Sequence, residues 1–243
     1  MNQDIGAMFW KEWREILTLS GIRGRFGVIV ISVMFGIVLP LQQGRDWVTD
    51  PLFIIFWFFV PFLIVSSSIV DVFAGERERH TLETLLASRL KDSAILLGKA
   101  FAGATYGVAF TWLNLLISLL TVNIVFSAGK LLVYSLPVTA AILVFSVLMS
   151  FLATNVGILI SLRASSVRQA QQTISIIMLL FLVLPVIGTR LLPPIDQAQL
   201  NLMLESFNPL STALIAGSVL LVADLLLLVA AMARFKRAKL ILD

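Results

Sequence analysis

The sequence predicts an all-α integral membrane protein built as a bundle of six transmembrane helices, and three observations predict it. Hydrophobic residues make up 59% of the 243 and charged residues 13%, with a mean hydropathy of +0.99, so polar surface is too scarce to cover a water-soluble globule of this size. Six apolar segments are each long enough for the roughly 20 helical residues that cross about 30 Å of hydrocarbon. Runs such as Ile142 to Ile160 are apolar on every face, whereas the strands of a membrane barrel alternate.

Residues 4–20 come first, as a helix in the membrane plane. Ile5, Phe9, Trp13 and Ile16 recur at helical spacing, with Lys11, Glu12, Arg14 and Glu15 on the other side, and tryptophan favours the headgroup level. The chain then turns at Gly21, Gly24 and Gly27 into spans at about 26–43, 52–73, 100–126, 132–162, 172–192 and 211–233, all in a single transmembrane domain covering 1–243. If the N-terminus is cytosolic, fifteen of the eighteen Lys and Arg fall on the cytosolic side, leaving Arg45, Lys130 and Arg190 at the other. Both termini are therefore predicted to be cytosolic. The net charge of +4 is that of basic helix ends meeting anionic headgroups and calls for no nucleic acid. No small-residue cleavage pattern follows the first apolar run, which is expected to stay as a helix.

Composition also excludes chemistry. Without cysteine there is no thiolate nucleophile or cysteine metal site, and His80 as the single histidine leaves no H-E-x-x-H zinc pair. No catalytic, cofactor-binding or metal-binding residues are expected. No G-x-x-x-x-G-K-[ST] phosphate loop exists; Gly98-Lys99 lacks the earlier glycine and the Ser or Thr, so nucleotide must be handled elsewhere.

The large polar stretch is Phe73 to Lys99, between spans two and three. Leu82, Leu85, Leu86 and Leu90 fall at helical spacing, while Glu76, Arg77, Glu78, Arg79 and Glu83 supply both signs of charge. Such a helix has one face for the bundle and another for the cytosol. Asp92 or Ser93 is placed to cap the helix that follows.

The run Gly75-Glu76-Arg77-Glu78-Arg79-His80-Thr81-Leu82-Glu83-Thr84-Leu85-Leu86, closing on Gly98-Lys99, resembles the first cytosolic loop of type-2 ATP-binding-cassette (ABC) transporter permeases. The likeness is at the level of motif over 75–99 and coarse over the rest. The in-plane helix fits it, as does Asp196 to Phe207, expected as short outer-side helices before the Asn208-Pro209 pair that opens the last span. Arg89 departs from it, standing where many members have a proline. The resemblance implies a permease subunit of an exporter in a prokaryotic inner membrane, driven by ATP and Mg in a separate ATPase subunit and paired with a second copy or a related permease. On the same basis Glu76, Arg77, Glu78 and Arg79 would make charged contacts at the rim of the ATPase, and Thr81, Leu82, Glu83 and Leu86 would form the coupling helix that docks in it.

Asp224, in the middle of span six, is costly in hydrocarbon at about 2.5–3.5 kcal/mol and is expected to face protein or water. With Asn114 and Asn155 it is a candidate for the transport path. Asn114, Ser118 and Thr121 on span three, and Ser146, Ser150 and Asn155 on span four, also suit hydrogen bonds between helices. Asp71 and Ser66 to Ser68 suit a helix end, and Pro61 and Pro185 fall near the middles of spans two and five as kink or hinge positions. A stand-alone secondary transporter or channel is the alternative; it would use Asp224 and Asp71 for a coupling ion, but no broken-helix pair supports it. An intramembrane enzyme is disfavoured by the missing nucleophile motifs.

Overall fold

The structure, a computed structural model, describes residues 2–19, 22–69, 72–191 and 208–235. Every regular element among them is helical. In chain order these are α1 (Asn2–Leu19), α2 (Ile22–Val33), a π-helical turn (Met34–Val38), α3 (Leu39–Gln43), α4 (Asp46–Thr49), α5 (Pro51–Ile54) and α6 (Phe56–Ile69). They are followed by α7 (Ala74–Glu78), α8 (Leu82–Leu86), α9 (Asp92–Phe126), α10 (Leu136–Arg163), α11 (Val167–Leu191) and α12 (Pro209–Arg234). Among the described residues, four helical stretches are long and apolar enough to cross a membrane: Phe26–Gln43, Asp92–Phe126, Leu136–Arg163 and Leu210–Arg234. The segment expected as a second span, 52–73, is broken at Ile55 into α5 and α6, and α6 at 14 residues is about 21 Å long. The outer-side segment Asp196 to Phe207 and Asp71 lie outside the described residues.

Helix α10 is central, packing on α6, α9 and α12, while α1 lies along the start of α9. Gly157 makes the first contact possible: a Cβ there would collide with the Ile69 side chain of α6. Gly98 does the same for α1, because a Cβ on it would come 2.6 Å from Met8 Cβ and 3.2 Å from the Phe9 nitrogen. Small residues thus bring backbones together where no hydrophobic force distinguishes helix from lipid.

The π-helical turn has a local cause. Pro40 has no N–H for the carbonyl four residues back, Gly36, and the Thr121 hydroxyl of α9 donates to that carbonyl instead at 2.8 Å. At the same end of α9, Arg45 Nε donates to the Phe126 carbonyl at 2.9 Å, satisfying a helix terminus. A buried aromatic knot closes this region, with Trp57 Nε1 donating to Tyr134 Oη at 3.0 Å and Tyr134 to the Trp47 carbonyl at 3.3 Å.

Two expectations are corrected here. Helix α9 starts at Asp92 with Lys91 as its N-cap, so neither Asp92 nor Ser93 caps it; Asp92 sits in the first turn, where a negative charge meets the positive end of the helix. Glu12 is not on the outer side of α1. It is buried at 3% exposure between Met8 and Ile16, in the middle of the packed face, and the reason lies in the site below. At the last helix Asn208 is the N-cap, accepting from the backbone N–H of Leu210 at 3.1 Å and Ser211 at 3.4 Å, with Pro209 in the first turn.

Candidate functional site

The polar stretch between α6 and α9 folds as two short helices, α7 and α8, joined by a turn in which His80 takes φ 55. In that turn the N–H of Thr81 donates to the Glu76 carbonyl at 2.9 Å and the Thr81 hydroxyl to the same carbonyl at 3.3 Å. A left-handed residue followed by a doubly used carbonyl is a stiff way to end one helix and start another. The direction of α8 is therefore set by α7.

Helix α7 is in turn fixed by an ionic hub. The Lys99 ammonium, with its side chain fully buried, lies 2.9 Å from Glu12 Oε1 and 3.0 Å from Glu76 Oε1. It also donates to the Val72 carbonyl at 2.9 Å and stands 4.9 Å from the centroid of the Phe73 ring. Lys11 adds a second ammonium 3.0 Å from Glu12, 3.1 Å from Glu15 and 2.9 Å from Glu76, and Arg79 reaches Glu15 at 3.7 Å. Burial alone would push the Glu12 carboxyl up; the charges of Lys99 and Lys11 outweigh it and hold the group below its ordinary value. For Lys11 burial works downward and is outweighed by Glu12 and Glu76, so its ammonium stands above the ordinary lysine value. Glu12, Glu15 and Glu76 lie close enough to suggest a cation site, but the two lysine ammoniums already occupy that role.

Five further hydrogen bonds tie α7 and the residue before it to the ends of α10 and α11. Arg77 donates through Nη1 to the Ala164 carbonyl and through Nη2 to that of Leu162 at 3.3 Å, satisfying the C-terminus of α10. The N–H groups of Phe73 and Ala74 donate to Ser161 Oγ at 3.0 and 2.9 Å. Glu78 Oε1 accepts from the N–H of Val167 at 2.8 Å, a carboxylate at the positive end of α11.

The residues expected to meet an ATPase thus divide. Glu76 is buried at 2% exposure and its charge is spent inside the chain; Arg77 is half-buried and engaged by backbone carbonyls. Leu82, at 6%, faces the core with Ile95 and Leu96. Glu78, Arg79, Thr81, Glu83 and Thr84 are exposed, and of these Glu78 also caps α11. Leu86 ends α8. Sequence reasoning named Lys99 only as the close of the loop motif and gave no site role to it or to Lys11, Glu12 or Ser161. A lysine at the head of an apolar helix, with a glutamate in the middle of an otherwise packing face of α1, was the available signal.

The proposed path residues fall in two places. Asn155 on α10 and Asp224 on α12 meet, with Asn155 Nδ2 donating to the Asp224 carbonyl at 3.3 Å. Asp224 is 7% exposed and neither carboxyl oxygen has a hydrogen-bond partner among the described residues, nor does Asn155 Oδ1. Asn114 is elsewhere, on α9 against Gly36 of the π-helical turn, where its Nδ2 donates to the Phe110 carbonyl at 2.7 Å. The hydroxyls are spent on packing: Trp112 Nε1 donates to Ser146 Oγ across α9 and α10 at 2.9 Å, and Ser150 and Thr154 bond their own helix.

The ABC-2 type transporter family matches residues 3–189, well over half of the chain and all of the α7–α8 frame. The chain belongs to the ABC-2 type transporter family. It is similar to the ABC transporter permease protein NatB of Bacillus subtilis (strain 168), at 32% identity over 135 residues. That match takes in 50% of this chain and 34% of the relative, so the chain spans about a third of the relative's length. Family and apolar helices together make this a multi-pass transmembrane transport protein, an ABC transporter permease and not the ATPase.

Proposed function

We propose that the chain is the membrane subunit of an ATP-driven exporter, crossing a prokaryotic inner membrane six times with both termini in the cytosol. The spans are the α2–α3 stretch, α6 with its flanking residues, α9, α10, α11 and α12. Fifteen of the eighteen Lys and Arg then lie on the cytosolic side. A separate ATPase binding ATP and Mg docks against α8, and a second copy or related permease completes the pathway.

The observation that carries this reading is the α7–α8 frame. The exposed face of Thr81, Glu83 and Thr84 is joined through one stiff turn to a hub touching α1, α9, α10 and α11. Force applied to α8 by a moving ATPase is passed to helix ends as a rigid-body tilt, where a flexible loop would dissipate it. On this reading Glu83 and Thr81 make the docking contact, Arg79 and Glu78 flank it, and Glu76 and Arg77 hold the frame. Asp224 and Asn155, buried with unused acceptors, are the best-placed residues to meet a substrate or proton on the path.

The test is to tag the chain, extract it gently from its native membrane and identify the protein that co-purifies with ATPase activity. Glu83→Lys should leave the bundle folded and separate hydrolysis from transport. A stable bundle with no ATPase partner and transport unaffected by ATP depletion would move the reading to a stand-alone carrier.

A further inference from the structure

Between α10, α11 and α12, at the ends that carry Arg163 and Arg234, lies a groove of about 470 Å³, within the range of about 300–1,000 Å³ common for small-ligand sites. Its upper lining is apolar, including Leu159, Ile177 and Leu227, and its mouth holds the two arginines with Thr173. Each arginine is the last residue of its helix, Arg163 of α10 and Arg234 of α12. Both are exposed, and neither guanidinium has an ion-pair or hydrogen-bond partner among the described residues. This contrasts with Arg77 and Arg45, whose guanidiniums are taken by the carbonyls at the ends of α10 and α9.

The geometry points to a binding site for an anionic phospholipid, its phosphate held by Arg163 and Arg234 and one acyl chain lying along Leu159, Ile177 and Leu227. Two arginines lining one groove suit a phosphate, which takes forked N–H donors, and basic pockets between transmembrane helices at the membrane surface select such headgroups. The apolar lining continues outward into the lipid-facing side of α12, where Leu226 is 65% and Val229 is 62% exposed, so the occupant has a hydrocarbon tail and not a free phosphate's hydration shell. A second copy of the chain is a poorer occupant, because a two-fold contact on this face would set four arginines together.

The experiment reconstitutes the purified chain in nanodiscs of mixed phosphatidylglycerol and phosphatidylcholine, re-extracts it and counts retained lipid by native mass spectrometry. The wild type should retain phosphatidylglycerol in preference to phosphatidylcholine, with inorganic phosphate failing to displace it. Arg163→Gln with Arg234→Gln should lower that retention about tenfold or more. Ala230→Trp should lower it too by filling the groove while keeping both charges, whereas Arg168→Gln, an exposed arginine outside the lining, should not. Thermal stability in detergent, unchanged across the set, verifies that the variants fold. Equal retention of both lipids by the wild type, or undiminished retention by the double variant or by Ala230→Trp, overturns the site. Since the chain has no cysteine, Ala230→Cys gives one more reading: a disulfide between two copies at that position would make the occupant a second chain and overturn the lipid assignment.

Discussion

Two regions of this molecule bury carboxyl groups, and they treat them in opposite ways. At the foot of α9, Glu12 and Glu76 share two ammoniums at 2.9–3.0 Å, and every helix near them is tied in. Near the middle of α12, Asp224 is also buried, though less deeply, and its two carboxyl oxygens have no partner among the described residues. Glu76 keeps Oε2 without a hydrogen bond among the described residues, but its Oε1 meets two ammoniums, and a buried charge so paired serves the frame, because losing one partner strands the other at a cost of about 3–5 kcal/mol. A buried carboxyl left unmatched adds nothing to stability and is free to respond to what enters. On this contrast rests our proposal that the first region transmits force and the second lines the transport path.

The sharpest way to break that contrast is Lys99→Ala. It leaves two buried carboxylates with Lys11 alone, and a loss of about 3 kcal/mol or more is expected, read as a large drop in thermal midpoint and increased protease sensitivity. Adding Glu12→Gln and Glu76→Gln to Lys99→Met should recover much of it, since a neutral set of similar shape strands no charge; failure to recover would mean that the hub is not held by charge matching. Next in size is Gly157→Val, which should cost about 1–3 kcal/mol by forcing α10 away from Ile69 without touching any charge.

The packing part of this was legible in the sequence and the pairing was not. The all-helical class followed from composition and from apolar runs that do not alternate, because burial of apolar faces repeats with the helical period. The charges of Glu76 and Arg77 read as outward because a run of alternating sign on a short helix looks solvated. Their partners, Lys99 and the carbonyls of Leu162 and Ala164, lie tens of residues along the chain and carry no local signal. Glu12 was assigned to the wrong side of α1 for the same reason: its buried partner Lys99 lies 87 positions away. The break at Ile55 was equally hidden, since the residues on both sides of it are apolar and hydropathy does not register where a helix stops.

Smaller effects sharpen the comparison through pH. The Glu12 carboxyl is held below its ordinary value when folded, so its stabilisation is full above the unfolded value of about 4.3 and fades as pH falls through the folded one. Lys11 is held above its ordinary value, so its contribution is full below about 10.4 and fades only as pH rises beyond that. Stability of this region should be flat between about pH 5 and 9 and decline on acidification, and Glu12→Gln should flatten the acid limb in a pH series of melting curves. The smallest stability change is expected at Asp224→Leu, within about 1 kcal/mol of the wild type or slightly above it, while transport falls. A large destabilisation there would show that Asp224 is a structural residue and erase the distinction between the two regions.

The hub also bears on how the protein is made. Glu12 and Lys99 lie 87 positions apart, and Glu76 stands between them. While the ribosome has yet to deliver Lys99, the nascent chain holds two glutamates destined for a dry interior with Lys11 as the one hub ammonium already made. Helix α1 has to wait at the membrane surface, amphipathic and loosely held, until α9 enters the bilayer. A chain truncated before Lys99 is expected to leave α1 undocked, read as faster proteolytic cleavage in α1 than in the full chain.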